Sequence, residues 1–103
     1  MSAQTDLIQA LDEAIRILTK SGEQHWRTWL ERDRDRIATG DAGGIEHLMT
    51  AFGGMGSFND LALSQANGHA GANEELREMD DRLYSLRDRI WANCRTLQRD
   101  PRQ

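Results

Sequence analysis

The feature that most constrains the fold is a seven-residue repeat of aliphatic side chains late in the chain. The repeat consists of Leu76, Leu83, Ile90 and Leu97, with Met79 and Leu86 three residues after the first two. This spacing places an apolar seam along one face of a long helix. We therefore predict a helix over 74–99 whose seam is buried against other helices or, in a homodimer, against the 76–97 seam of a second copy.

Three earlier segments show the three- and four-residue apolar spacing of amphipathic helices, and they predict helices over 6–20, 23–39 and 42–52. Gly22 follows the first segment and can end it in the left-handed conformation. Thr5 or Asp6 is expected to cap the first helix and Asp41 the third. No segment has a convincing strand pattern. The predicted fold is all-α, a small bundle of four main helices in a single domain spanning 1–103.

Two segments between the helices are rich in small and polar residues. The segment SQANGHAGAN, residues 64–73, predicts an exposed loop. The segment FGGMGSFNDL, residues 52–61, contains a glycine turn at 53–57, where Gly53 is expected to end the third helix with a positive φ. Ser57 and Asp60 have the spacing of a capping box. We interpret the turn as a structural corner, with a partner or small-anion site at its amide groups as the alternative.

The glycine turn lacks the features of the common phosphate-binding loops. A P-loop requires a lysine after its last glycine, and the chain's one lysine is Lys20. In the dinucleotide fingerprint, Asn59 stands where a third glycine belongs. Neither nucleotide motif is therefore predicted.

Charge and composition favour some functions over others. Thirteen basic and 17 acidic residues give a formal net charge of −4, the opposite of the basic surface that nucleic-acid binding requires. No secretory signal or membrane-spanning stretch is recognisable. Because Cys94 is the one cysteine, an internal disulfide is excluded, which agrees with a reducing compartment. We expect a cytoplasmic protein.

The residues most often used in catalysis and metal binding are scattered. His25, His47 and His69 stand 22 residues apart without the short spacings of zinc sites. Cys94 lies on the last helix beside the seam and is expected to pack there. We therefore predict no catalytic residue, metal or cofactor, and expect the protein not to be an enzyme.

Exposed charges and aromatic residues are instead candidates for contact with a protein partner. These candidates include Asp33 and Asp35 on the second helix, where Asp33 interrupts the apolar stripe, and Trp91 at the rim of the seam. The other candidates lie in the glycine turn and at the start of the last helix: Gly54, Met55, Asn59, Asp60, Glu74, Glu75, Glu78 and Asp81.

Residues 26–63 resemble a small family of uncharacterised bacterial single-domain proteins. The shared pattern is a Trp-containing helix, a Gly-Asp step, a short I-x-x-L helix and a G-G-M-G-S-[FL]-N-D-L turn. The matching positions are Trp26, Trp29, Gly40, Asp41, Ile45, Leu48, Gly53, Gly54, Met55, Gly56, Ser57, Phe58, Asn59, Asp60 and Leu61. This resemblance implies no particular chemistry.

In size, acidity and helical content the chain is also similar in general build to bacterial immunity proteins. That similarity implies a protein-binding domain that neutralises a cytoplasm-acting antibacterial toxin with a basic active cleft. Two alternatives stay open. One is a scaffold or adaptor that self-associates through the 76–97 seam, and the other is a small-ligand binder or enzyme that uses the glycine turn.

Overall fold

The computed structural model describes residues 2–53 and 56–99, and this part of the chain folds into four α-helices without a strand. The helices are α1 (Ala3–Ser21), α2 (Gln24–Ala38), α3 (Gly43–Met49) and α4 (Asn73–Arg99). Short 3₁₀ helices occupy Thr50–Phe52, Phe58–Asp60 and Gln65–Asn67. The all-α prediction, with a long C-terminal helix, is confirmed. None of the helices described has a stretch long and apolar enough to cross a membrane.

Local capping explains where α1 begins and ends. Its N-cap is Ser2, whose hydroxyl accepts a hydrogen bond from the Thr5 amide at 3.1 Å. The helix therefore begins before Thr5 and Asp6, the residues that were predicted to cap it. It ends at Gly22, which has a φ of 77° as the sequence predicted.

The third helix is shorter than predicted because it tightens into a 3₁₀ turn. The Asp41 carboxylate accepts a hydrogen bond from the Gly43 amide at 2.9 Å, but the N-cap is Ala42, which has no side-chain cap, so the prediction that Asp41 caps this helix is wrong. The α-helix ends at Met49, and the predicted remainder forms the 3₁₀ helix Thr50–Phe52.

The core forms where α4 packs on α1, α1 on α2, and α2 on α3. The seam residues Leu76, Leu83, Leu86, Ile90 and Leu97 are at most 4% exposed and join one cluster with the buried side chains of α1. The chain's own helices thus already cover the 76–97 seam. A homodimer through this seam, the alternative that the sequence left open, would therefore require α1 to be displaced.

Two arginines of α4 tie that helix to α1. Arg89 forms hydrogen bonds with both carboxylate oxygens of Asp6 at 2.5–3.0 Å, and Asn93 donates to Asp6 at 2.5 Å. Arg82 forms a two-pronged ion pair with Glu13. The hydrogen bonds from Arg89 and Asn93 lower the pKa of Asp6 from 3.8 to about 2.

The glycine turn differs from its prediction in two ways. Gly53 has a φ of −106°, in the extended region, whereas Gly56 has a positive φ of 77°. The Asp60 carboxylate accepts from the Gly56 amide at 2.9 Å, while the buried Ser57 hydroxyl has no partner in the described chain, so no capping box forms. Phe58 follows and is fully buried. Gly54 and Met55, in the middle of the turn, lie outside the described residues.

The 64–73 segment is mostly exposed, as predicted, but it contains the 3₁₀ helix Gln65–Asn67 and one buried side chain, that of His69. His69 is only 7% exposed, and its Nδ1 accepts from the Ser64 amide at 3.1 Å. Its Nε2 lies 3.2 Å from a carboxylate oxygen of Glu23. This bond ties the segment to the start of α2, and it makes His69 a structural residue.

Candidate functional site

The outer surface of α4 carries a continuous strip of exposed side chains. We call the strip the acidic face, and it consists of Glu74, Arg77, Glu78, Asp81, Tyr84, Ser85 and Asp88. At 3.6 residues per turn these positions fall on one side of the helix, opposite the buried seam. The seam therefore determines which side chains the helix presents outward.

Tyr84 lies near the middle of the acidic face and is 66% exposed. Within the described ranges it is the one large hydrophobic side chain with such exposure. Trp91 lies seven residues further on and is half-buried, with its ring centroid 5.4 Å from that of Phe52. Only part of the Trp91 ring is therefore available for the predicted contact with a partner, because the rest packs on the chain itself.

The acidic side chains of this face have few internal partners. Residues 2–53 and 56–99 provide no ion-pair partner for Glu74, Glu78, Asp81 or Asp88. Glu75, at the side of the face, pairs with Lys20 at 3.6 Å. The face therefore carries negative charge that the described fold does not neutralise.

Arg87 attaches the segment after the glycine turn to α4. Its guanidinium donates to the carbonyls of Asn59 at 3.1 Å and Leu61 at 2.7 Å, and lies 5.4 Å from the Phe58 ring centroid. Burial lowers the pKa of this arginine, and nearby carboxylates act in the opposite direction. The exposed side chains of Asn59 and Asp60 are thereby held beside the acidic face.

Sequence reasoning missed Arg87, although a signal was present. The residue directly follows Leu86 of the seam, and a position next to a seam is partly covered by neighbouring elements. An arginine on such a helix is ordinarily expected at the surface. The bonds to Asn59 and Leu61 compensate the burial of its charge.

The other predicted contacts fall in different places. Asp33 is fully buried, so its prediction as a partner contact is wrong, because it faces α3 and not solvent. Asp35 is exposed on α2 and lies 3.7 Å from Arg34. Since α2 packs on α1 and α3, Asp35 does not belong to the acidic face. Gly54 and Met55 lie outside the described residues.

Asp33 forms a second polar site together with His47. Their Oδ1 and Nδ1 atoms are 2.7 Å apart, and the other Asp33 oxygen is buried without a partner in the described chain. Burial raises the pKa of Asp33, while the hydrogen bond from His47 opposes that shift. The Trp29 ring stacks on His47 with centroids 4.5 Å apart and planes 19° apart.

His47 of this pair borders an open groove of ≈ 500 Å³ that runs along α2 and reaches α3 at His47. Close helix packing brings the pair together, because Gly44 lies directly against the side chains of Arg36 and Ile37. We call this cavity the α2–α3 groove, and its lining consists of Gln24, His25, Thr28, Trp29, Arg32 and His47. Sequence reasoning assigned no role to it.

The remaining candidate chemistry is limited. Cys94 is fully buried, and burial raises the pKa of its thiol to about 12, so it offers no accessible thiolate. In the described ranges, no group of three or more His, Cys, Asp or Glu side chains is arranged to hold a metal ion.

Comparison with known proteins places the chain in a family. Neither curated proteins nor solved structures gave a match. Residues 19–72, just over half of the chain, match a family described as "Domain of unknown function (DUF6966)". The match covers α2, α3 and the Phe58 segment, and with them the region that resembled an uncharacterised family. The chain belongs to this DUF6966 family.

Proposed function

We propose that the chain is a protein-binding domain that neutralises a basic protein by direct contact through the acidic face of α4. Specifically, it acts as a bacterial immunity protein against a toxin that works in the cytoplasm. The observation that carries the proposal is Tyr84, which is 66% exposed in the middle of an unneutralised acidic surface.

The aromatic residues supply the anchors that such an interface needs. Tyr84 and Trp91 are separated by seven residues on one helix, hence by about 10 Å along its axis. Tyrosine and tryptophan are enriched among residues that dominate binding energy, because each buries a large area and adds a hydrogen-bond donor. The exposed Tyr84 and the accessible part of Trp91 form a short aromatic strip.

The charges of the face indicate the kind of partner. Glu78 and Asp81 precede Tyr84 and Asp88 follows it, and none of them has an ion-pair partner within the described ranges. Arg77 is the one cation in the acidic face as defined above. Opposite charge accelerates association and selects among partners, so a basic surface is favoured.

The face is also held rigidly before any partner arrives. The buried seam and the ion pairs of Arg82 and Arg89 fix α4 on α1. Arg87 fixes Asn59 and Asp60 beside it. A preorganised surface loses little conformational entropy on binding, which favours tight inhibition.

A role in inhibition is consistent with a small acidic domain whose candidate surface lies on one outer helix face. Blocking another protein requires a complementary surface and no chemistry of the inhibitor's own. An immunity protein must also be present where the toxin acts, which for this proposal is the cytoplasm. The similarity in size, charge and helical build to immunity proteins supports the same proposal.

The test is a growth and binding assay with a basic toxin domain encoded beside this chain's gene. Co-expression should restore growth, and calorimetry should show a complex that weakens as salt increases. Tyr84→Ala and Asp81→Asn should each reduce affinity by about tenfold or more. Asp35→Asn is the matched control, because it removes one exposed carboxylate from a different helix.

Two results would contradict the proposal. One is an absence of binding at low salt by a properly folded chain. The other is an equal loss of affinity in Asp35→Asn and Asp81→Asn, which would show a dependence on net charge and not on the acidic face.

A further inference from the structure

The α2–α3 groove has a composition unlike the rest of this acidic chain. Its lining side chains are Gln24, His25, Thr28, Trp29, Arg32 and His47, and no carboxylate is among them. Most of these groups donate hydrogen bonds, and arginine and protonated histidine also carry positive charge. In a chain with a net charge of −4, the groove is thus a local surface suited to an anion.

Arg32 is available to such a ligand. It is exposed on α2, and no ion pair with it occurs in the part of the chain described. Its neighbours are already ion-paired: Arg34 lies 2.9 Å from Asp12, and Arg36 lies 3.0 Å from Asp41. Arg32 is therefore the arginine of this stretch whose guanidinium can form new hydrogen bonds at the groove.

His47 is held in a defined orientation beside the groove. Its Nδ1 bonds to Asp33, and stacking on Trp29 fixes the plane of its ring. The ring nitrogen that remains for a ligand is Nε2, on the far side of the ring from the Asp33 bond. While Nδ1 donates to Asp33, Nε2 donates to an oxyanion in the form of the ring that carries a hydrogen on both nitrogens. A histidine oriented by a buried carboxylate is a recurring arrangement at binding and catalytic sites.

Aromatic rings provide the apolar part of the same groove. The His25 and Trp29 ring centroids are 6.0 Å apart, and Trp29 stacks on His47 at 4.5 Å. The volume of ≈ 500 Å³ falls within the range of small-molecule sites and exceeds what an inorganic ion fills. A flat wall beside charged donors suits a planar organic group that carries an oxyanion.

We propose that the α2–α3 groove binds a small organic oxyanion, a phosphate ester or a carboxylate, through Arg32 and Nε2 of the Asp33-oriented His47. Trp29 and His25 contact the organic part of the ligand. Asp33 is a positioning residue, because it acts through His47. The site lies apart from the acidic face of α4 and does not depend on the protein-binding proposal.

The test is an NMR titration of the whole chain with phenyl phosphate and with benzoate at constant ionic strength, with phenol as the neutral analogue. Saturable shifts are expected at the Trp29 indole, the His47 ring and the amides of 24–32. Tighter binding of phenyl phosphate would identify a phosphate ester as the ligand class, and tighter binding of benzoate a carboxylate. Phenol should bind at least about tenfold more weakly than the preferred anion.

Two variants separate recognition from folding. Arg32→Gln changes an exposed side chain and should weaken binding about tenfold with an unchanged melting temperature. His47→Asn retains a donor near the Nδ1 position for Asp33 and removes Nε2, so it should weaken binding similarly. Arg27→Gln, on the same helix but outside the groove lining, is the charge-matched control.

The proposal is overturned if neither anion gives saturable shifts in the folded wild-type chain. It is also overturned if phenol binds as tightly as the anions, or if Arg27→Gln weakens binding as much as Arg32→Gln does.

Discussion

The Oδ1 atom of Asp33 lies 2.7 Å from Nδ1 of His47, which joins α2 to α3 across 14 positions of sequence. Asp33 is fully buried, and its second oxygen has no partner within the described ranges. The carboxylate therefore depends on His47 for the side-chain hydrogen bond that compensates its burial. A buried acceptor deprived of its donor is costly, which makes this pair a point where the helix packing can be tested.

His47→Ala should lower the free energy of unfolding by about 1–3 kcal/mol, because it leaves the Asp33 carboxylate without its donor. Combining it with Asp33→Asn should cost less than the sum of the two single changes. Urea denaturation of the wild type, both single variants and the double variant measures this coupling. Additivity within about 0.5 kcal/mol would show that the pair contributes no interaction energy.

Gly44→Ala should force α2 and α3 apart. A Cβ atom there would lie 2.9 Å from Cβ of Arg36 and 3.1 Å from Cγ1 of Ile37. We expect a loss of about 1–3 kcal/mol in stability, together with altered NMR shifts of the His47 ring.

Gly43→Ala is the matched control for that change. At Gly43 the nearest contact would be the tip of the Arg36 side chain, which can move aside. Thermal unfolding of the two variants should show a lower melting temperature only for Gly44→Ala. Equal melting temperatures would contradict the close packing at Gly44.

Arg87→Met should release the segment that follows the glycine turn. The change removes donors from the Asn59 and Leu61 carbonyls while roughly keeping the side-chain volume. We expect a loss of about 2–4 kcal/mol and faster hydrogen exchange of the Leu63 amide, which bonds to Asp80 beside this segment. Arg95→Met, at an exposed position of the same helix, should change stability by less than about 0.5 kcal/mol. A similar small effect of Arg87→Met would contradict the anchoring role.

Two adjacent residues of α4 should differ strongly in how much stability they lose when each is changed to alanine. Leu83 is fully buried, so Leu83→Ala should cost about 2–5 kcal/mol. Tyr84 is 66% exposed, so Tyr84→Ala should change stability by less than about 0.5 kcal/mol. Urea denaturation of both variants checks the orientation of the helix. A large loss of stability in Tyr84→Ala would mean that its ring is not available to a partner.

Asp6 should contribute to stability in a defined pH range. Because its folded pKa is about 2 against an ordinary 3.8, its contribution is complete above about pH 4 and is lost as the pH falls toward 2. Asp6→Asn should be less stable than the wild type at neutral pH, and the difference should shrink across this range.

Chemical denaturation monitored by circular dichroism at successive pH values measures that difference. Arg89→Gln should flatten the same part of the pH dependence, because Arg89 is the main cause of the lowered pKa. A difference between wild type and Asp6→Asn that stays constant from pH 4 to pH 2 would refute the assignment.

Much of the secondary structure followed from local patterns. The seven-residue repeat predicted α4 to within one residue of its start, and Gly22 marked the end of α1. These features depend on residues within one or two helical turns, so they can be predicted from the sequence alone. The glycine turn was less predictable. Both Gly53 and Gly56 could have had a positive φ, and contacts with Asp60 and the core favoured Gly56.

The residues of the candidate sites also differ in how well the sequence predicted their positions. Glu78 and Asp81 were predicted as candidate contacts because they belong to the acidic start of the last helix, and both are exposed. Asp33 was misassigned although it interrupts the apolar stripe of Trp26, Leu30 and Ile37, because its partner His47 lies on another helix. The spacing of residues along the chain does not show that Asp33 and His47 lie close together in the fold.

The sequence by itself determined the helical class of this protein and the side of α4 that is buried, because apolar periodicity and capping act over a few residues. The tertiary structure alone decided that Asp33 meets His47, that Arg87 is buried beneath Asn59 and Leu61, and that a groove along α2 reaches α3 at His47. Those relationships depend on how closely whole helices approach each other. That approach is set by packing at positions such as Gly44, distant in sequence from most of the groups it brings together.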